Sequence, residues 1–331
     1  MARWMLSLLP RGPVRGPRLT IVRHHRVYSE PEKPLYRLGV SERVMEAQLA
    51  MLKSAGLSPL TVSEGLSRLA ENTRGHWVAM TFDDGYADNI SRALPLLRKF
   101  GARATFYLTS GLIERRRAAW WDVLAHALET SARPELDWAV ANGERVALET
   151  GSEAGRRAAL RALLPGMRSR PETRDAALAR LRQDLGVTAP APCEFATWAE
   201  AARLREAGME IGAHTLTHPH LSLLTPAEQR LEIHGSAALI AERLGIVPSG
   251  FAYPGGDYDP ASVAAVRATH ATHAVTTRLG DPVPGADPWT LPRRGLSEGA
   301  CLGPGGGFSR SLAMAELHGA FDRLRGAPEG A

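Results

Sequence analysis

Only two cysteines, Cys193 and Cys301, occur in 331 residues. That excludes a disulfide framework or a cysteine zinc knuckle and leaves free thiols as the simpler reading. No apolar run approaches the eighteen or so residues of a membrane-spanning helix. Lysine is scarce, found at Lys33, Lys53 and Lys99, so nearly all of the 40 basic residues are arginine, set against 35 acidic ones for a net charge of +5. The arginines are scattered through amphipathic stretches such as 156–161 and 174–182. Spread in this way, beside abundant alanine, they read as codon bias and not as the clustered footprint of a nucleic-acid binder. There is no internal repeat and no low-complexity linker. At 44% hydrophobic and 23% charged, the composition excludes disorder, collagen and coiled coil. The length suffices for one large core, or a core with a lobe.

The first residues, Met1-Ala2-Arg3 and then Trp4–Leu9, make an apolar stretch too brief for a signal-peptide core, with no small-residue cleavage site after it. A tail over residues 1–18 and a cytoplasmic location are the default expectations. Trp4, Met5, Leu6 and Leu8 beside Arg11, Arg15 and Arg18 offer at most a weak contact at the inner membrane face.

What is present is an alternation of apolar runs with amphipathic stretches, the pattern of an α/β fold. Strands are expected at Leu19–Arg23, Trp77–Phe82, Ala104–Leu108, Met209–Ala213, Gly250–Tyr253 and Ala274–Thr277. Helices are expected at Ser41–Ala55, Val62–Leu69, Ile90–Phe100, Thr225–Leu244 and Pro260–Ala268. Ser41 and Thr225-Pro226 with Glu228 are start signals, and Gly56, Gly101 and Gly245 are stops. Residues 113–192 break the alternation with several short Ala/Leu/Arg-rich helices and at most one strand, near Trp138–Leu148. They read as an insertion or lid. Residues 301–331 read as a C-terminal helix, Leu312–Leu324, and a loose tail.

Two clusters carry chemistry. Thr81-Phe82-Asp83-Asp84-Gly85-Tyr86 follows an apolar strand. Alone, it reads more simply as a solvated turn, although a turn at Gly85 could let both carboxylates line one pocket. His214-Thr215-Leu216-Thr217-His218 follows another strand, and an i, i+4 histidine pair can aim both rings at one metal ion. Alone, these could equally be surface histidines. Together, two histidines and one aspartate at the carboxyl ends of strands make a three-ligand open metal site.

With Phe251-Ala252-Tyr253-Pro254-Gly255-Gly256 as a third motif and Ala104-Thr105-Phe106-Tyr107-Leu108 as a further match, the sequence resembles the polysaccharide deacetylase (NodB-homology) family over residues 19 to 296. The resemblance implies a distorted (β/α) barrel, usually of seven strands, over residues 19–300 with the insertion inside it. It implies a metal-dependent hydrolase that removes acetyl groups from sugars. It further implies Asp84, His214 and His218 as metal ligands, Asp83 as general base and the N–H of Gly255 as oxyanion donor. Zinc is the expected ion, with cobalt, nickel and manganese also suited to such a site. Many members carry an arginine two residues before the third-motif proline, where Ala252 stands here. Arg293, or less readily Arg294, could supply that charge from the next strand. The usual late Leu-x-x-His acid has no good counterpart, since His318 reads as a helix-surface residue.

Leu19-Thr20-Ile21-Val22-Arg23-His24-His25-Arg26-Val27 resembles instead the Tyr-His-x-Val start of a circularly permuted subgroup, which makes His25 the acid and puts His24 in the tyrosine's place. Tyr86, Tyr253, Pro254 and Trp121 are the substrate-binding candidates. Trp120-Trp121 suits sugar stacking or the anchoring of a lid helix. Asp88 and Asn89 read as rim or cap residues, and His220, His270 and His273 as bystanders. The expected partner is an N-acetylated polysaccharide or glycolipid. A deacylase or deformylase of a small lipid- or nucleotide-linked sugar, or a non-catalytic carbohydrate-binding barrel, are the other readings.

Overall fold

The apolar runs are too short for core helices and rich in residues that fit a pleated sheet covered on both faces. The computed structural model describes residues 16–30, 34–36, 38–71, 74–139 and 145–322. All six expected strands form: β1 (Arg18–His24), β2 (His76–Phe82), β3 (Thr105–Leu108), β4 (Glu210–Ala213), β5 (Gly250–Ala252) and β6 (His273–Val275). A seventh, β7 (Arg294–Gly295), is too short to show a period in the sequence. The order is β6-β5-β4-β3-β2-β1-β7 and every pairing is parallel. Consecutive strands therefore lie side by side, with helices on most of the returns. Beyond β6 the chain turns back on the sheet. Leu291 bridges to Val275 and Arg294 pairs with Val22. Residues 291–295 thus span the gap between β6 and β1, and the sheet curls into a distorted barrel.

Alternate residues divide the two faces. Leu19, Ile21, Ala79, Tyr107, Ala252, Val275 and Leu291 fill the barrel, plugged by Val62 and Leu69 of the helix Val62–Glu71. Val22, Val78, Met80, Phe82, Phe106, Ile211 and Phe251 face outward into the larger core under the helices.

The expected caps do their work. The Ser41 hydroxyl accepts from the N–H of Val44 at the start of Glu42–Ser54. Thr225 and Glu228 form a reciprocal capping box on Pro226–Leu244, and Gly245 ends that helix in the left-handed region at φ 64°. The helix expected over Ile90–Phe100 opens with a π-helical turn, Asn89–Ala93, before the α-helix Leu94–Phe100.

The insertion has a core of its own, in which Leu124, Leu128, Leu163, Leu181 and Leu185 are fully buried together. The single strand expected near Trp138–Leu148 is in fact an antiparallel hairpin, Glu135–Ala139 with Arg145–Glu149. The expected stretch ran across its turn, because Trp138 and Leu148 are the most buried of the four residues, with Leu136 and Val146, that the hairpin turns inward. The C-terminal helix ends earlier than expected, at Arg310–Leu317. Both cysteines are free thiols. Among the described residues no helix is long and apolar enough to cross a membrane. The expected membrane contact at Trp4–Leu8 and the tail from Gly326 lie outside the described residues.

Candidate active site

The carboxyl end of β2 runs straight into the paired carboxylates. The Asp83 N–H still donates to the His24 carbonyl at 3.0 Å, continuing the ladder with β1. Asp84 (φ 76°) and Gly85 (φ 88°) then turn left-handed, which ends the strand's alternation. Aspartate tolerates that region better than most residues, and such conformers gather at functional sites. A side chain at Gly85 would also meet Leu108 and Ile113 at 3.1 Å.

The residues that could hold a metal ion converge on Asp84. The Nε2 atoms of His214 and His218 each lie 3.5 Å from Asp84 Oδ1, and the three donor atoms fall within 4.8 Å of one another. Asp84 is 1% exposed, and neither of its oxygens has a hydrogen-bond partner among the described residues. Orphaned buried carboxylate oxygens are costly unless a cation satisfies them. His214 Nδ1 lies 2.6 Å from the Ala252 carbonyl; as donor there it leaves Nε2 with its lone pair toward Asp84. Burial pushes the His218 ring down to about 3, helped by His214. Burial also acts to lower His214, but Asp84 and Asp83 overcome it and raise that ring. The two carboxylates thus draw positive charge to the place where the donors converge, whether a proton on His214 or a metal ion that displaces it.

Glu232, which nothing in the sequence marked, holds the histidine loop. Its Oε2 accepts from the N–H groups of Leu216 (2.8 Å) and Thr217 (2.9 Å), and its Oε1 accepts from the Thr217 hydroxyl (2.6 Å). The loop carries left-handed Thr215 and His218. Its Leu216 packs where a Cβ on Gly111 or Gly235 would stand, at 2.6 and 2.8 Å.

Asp83 faces a different partner. Arg293, 1% exposed, grips both of its oxygens at 2.7 Å. The guanidinium is itself held by the Thr276 carbonyl at 2.8 Å and Thr81 Oγ1 at 3.0 Å. Burial alone would raise the Asp83 carboxyl, but Arg293 holds it well below the usual carboxylate range. Arg294, the alternative, points elsewhere and pairs with Asp281 and Asp322.

His25 Nε2 stands 3.9 Å from Asp83 Oδ2. Its backbone is fixed by Asn89, whose side-chain amide donates to the His25 carbonyl at 2.7 Å, while Asp88 binds Arg26 and the Val27 N–H. Asp88 and Asn89 are therefore ties for this segment. His24 is buried, stacked on Phe82.

These groups open into a cleft of about 500 Å³ that also takes in Arg23, Tyr36, Trp120, Trp121, Arg168, His220, Gly255 and Thr277. Trp121 lines it, its ring edge-on to His218 at 4.4 Å. Tyr86 does not. It is fully buried, stacked on Phe195, accepting from Trp121 Nε1 (2.6 Å) and donating to Asp122 (2.9 Å). Tyr253 and Pro254 are buried too and are absent from the cleft lining. They underlie the turn that presents Gly255. His220 is no bystander, since its Cε1 lies 2.9 Å from the place a Gly255 Cβ would take. The imidazole thus supplies the wall that the glycine leaves open. His318 lies well away, on the face where β1 starts, its Nδ1 at 2.8 Å from Arg18. His273 bonds Tyr107.

Residues 70–274 match the family described as polysaccharide deacetylase. A Bacillus subtilis protein named as a polysaccharide deacetylase, YxkH, is 32% identical over 93 residues, 28% of this chain and 32% of that protein. The chain spans about a third of that relative's length. Among solved structures, the Streptococcus pyogenes deacetylase PplD in complex with acetate superposes with a TM-score of 0.59 at 18% identity, covering 91% of this chain and 98% of that one. IcaB from Ammonifex degensii gives 0.53 at 21% identity, covering 83% and 90%. At these identities the likeness is one of fold.

Proposed function

Because the chain belongs to the polysaccharide deacetylase family, we propose that it is a metal-dependent hydrolase that removes acetyl groups from the N-acetylated sugars of a polysaccharide or glycolipid. The observation that carries this reading is the juxtaposition, in one cleft, of the orphaned Asp84 carboxylate between two histidines and of Asp83 clamped by Arg293. A divalent ion fits these residues: two imidazole nitrogens and one carboxylate suit zinc and also cobalt, nickel or manganese. When bound, such an ion supplies Lewis acidity toward a carbonyl and makes water more acidic.

The protein's own residues supply the rest. Asp83, kept ionised by Arg293, accepts a proton from the attacking water, whose oxygen bonds to the acetyl carbon. Positioned bases of this kind are worth roughly 10²–10⁴-fold. The backbone N–H of Gly255, on the rim at φ 62°, donates to the oxygen that becomes negative. His25 delivers a proton to the sugar nitrogen as the C–N bond breaks, leaving acetate and a free amine. Arg293 touches no reacting atom and acts through Asp83. Trp121 and Trp120 form the apolar wall for the sugar ring.

Acetate release from N-acetylglucosamine oligomers and lipid-linked acetylated sugars, by zinc-loaded protein, tests the reading. Wild type should release acetate, and Asp83→Asn should lower kcat by about 10²–10⁴-fold. His25→Ala should lower kcat with little change in KM. No release from any of these sugars by protein that binds one equivalent of zinc would overturn the assignment.

A further inference from the structure

Arg23 lies near the carboxyl end of β1 and lines the cleft. With Leu19 and Ile21 facing the barrel interior, the two-residue period of β1 brings Arg23 and then His25 to the same face, and both line the cleft. Arg23 is half-buried, and its guanidinium has no hydrogen-bond or ion-pair partner among the described residues. Neither nearby carboxylate bonds it, and their charges reach it only through space. Arg293 occupies both oxygens of Asp83, and Asp84 faces His214 and His218. On the neighbouring strand Gly295 leaves the guanidinium uncovered, since a Cβ there would stand 3.8 Å from Arg23 Nη2. Burial and then the charge of Arg293 act against the Arg23 cation, and the charges of Asp83 and Asp84 offset only part of this, so its pKa is lowered and a bound anion would be favourable.

Toward the insertion the cleft gains a second cation, the exposed Arg168, and among the described residues no acidic side chain lines it except Asp83 and Asp84. A planar guanidinium suits two-point binding of a carboxylate or phosphate.

We infer that Arg23, with Arg168 toward the mouth, forms an oxyanion subsite, and that the preferred substrate is an acetylated sugar carrying a carboxylate or phosphate on the same or the adjoining ring. This rests on the deacetylase reading above. It narrows the substrate class to anionic glycans or sugar phosphates.

Matched substrates test it: N-acetylglucosamine, its 1-phosphate, and a disaccharide joining it to a uronate. Wild type should prefer at least one anionic member by tenfold or more in kcat/KM, and whichever is preferred distinguishes phosphate from carboxylate. Arg23→Gln should cut that preference by tenfold or more, chiefly through KM, and Arg23→Lys should restore part of it. Added salt should erode it as well. Calorimetry of the same anionic sugars on zinc-loaded Asp83→Asn, with and without Arg23→Gln, reads the subsite independently of turnover. If no substrate releases acetate, the deacetylase reading fails, while a tenfold loss of affinity on Arg23→Gln still upholds the subsite. Equal affinity with and without Arg23, or an equal kcat/KM loss on neutral and anionic substrates, overturns it.

Discussion

Asp83 and Asp84 are adjacent in sequence and chemically alike, and their neighbours give them separate work. Arg293 takes both oxygens of the first, while the second keeps both oxygens free between two imidazoles. Substituting Arg293→Lys keeps the charge but loses the fork, and lysine cannot hold two carboxylate oxygens in one plane. We expect kcat/KM to fall by about ten- to a hundredfold with the protein still folded. Arg293→Met leaves Asp83 buried and unpaired, a change that costs about 3–5 kcal/mol in such settings. Circular dichroism and urea titration of the two variants separate these outcomes.

Glu232→Gln should weaken zinc binding by about 10–100-fold, read by chelator competition, because its carboxylate is what orients the ligand loop.

The residues with intrinsic chemistry were legible at this scale. The positions proposed as ligands and base stand out by residue type and spacing together with the family resemblance, and Arg293, not a residue at 252, is the arginine that meets Asp83. Glu232 and Arg23 were illegible, because a glutamate on a helix or an arginine on a strand shows its role only through what stands opposite. Tyr86 misled for the same reason. After a left-handed turn an aromatic can face either way, and here its packing against Phe195 decides.

Among the elements, the strands and long helices were readable because caps, stops and apolar periods agree with the final packing. The insertion was not, since its alanine- and arginine-rich helices have weak periods and its hairpin hides a turn inside one apparent apolar stretch. Its link to function is local. Leu163 is fully buried in the insertion's own core, and the next residues, Leu164, Pro165 and Arg168, line the cleft. Leu163→Ala opens a cavity costing roughly 2–5 kcal/mol, borne mainly by this unit. The expected result is a several-fold rise in KM with kcat little changed, accompanied by earlier protease cleavage within residues 116–192. An unchanged KM despite that loosening would remove the insertion from substrate binding.

At the scale of the whole molecule, the end of the barrel opposite the cleft is sealed by a polar chain that depends on a neutral histidine. His76 Nδ1 lies 3.3 Å from an Arg18 Nη atom, and its Nε2 lies 2.9 Å from Thr20 Oγ1, which donates to Asp281 at 2.9 Å. With Nδ1 accepting from Arg18 and Nε2 donating to Thr20, the ring must carry a single proton. Arg294 joins the same cluster through Asp281, so the segment that closes the barrel is fastened there too. Burial, then Arg18 and His318, lower the His76 pKa to about 3. The unfolded chain would protonate this ring near 6.5. Between about pH 6.5 and 3 the unfolded state therefore binds the extra proton, and stability falls as pH falls, by up to about 1.4 kcal/mol per pH unit for this one group. His76→Asn removes the titration while keeping a donor for Thr20. Urea midpoints from pH 7 down to 4.5 should decline less steeply for that variant than for wild type. Parallel declines would mean that the chain's acid sensitivity comes from other buried histidines, such as His24 and His218, which burial also pushes down to about 3, and not from the barrel's base.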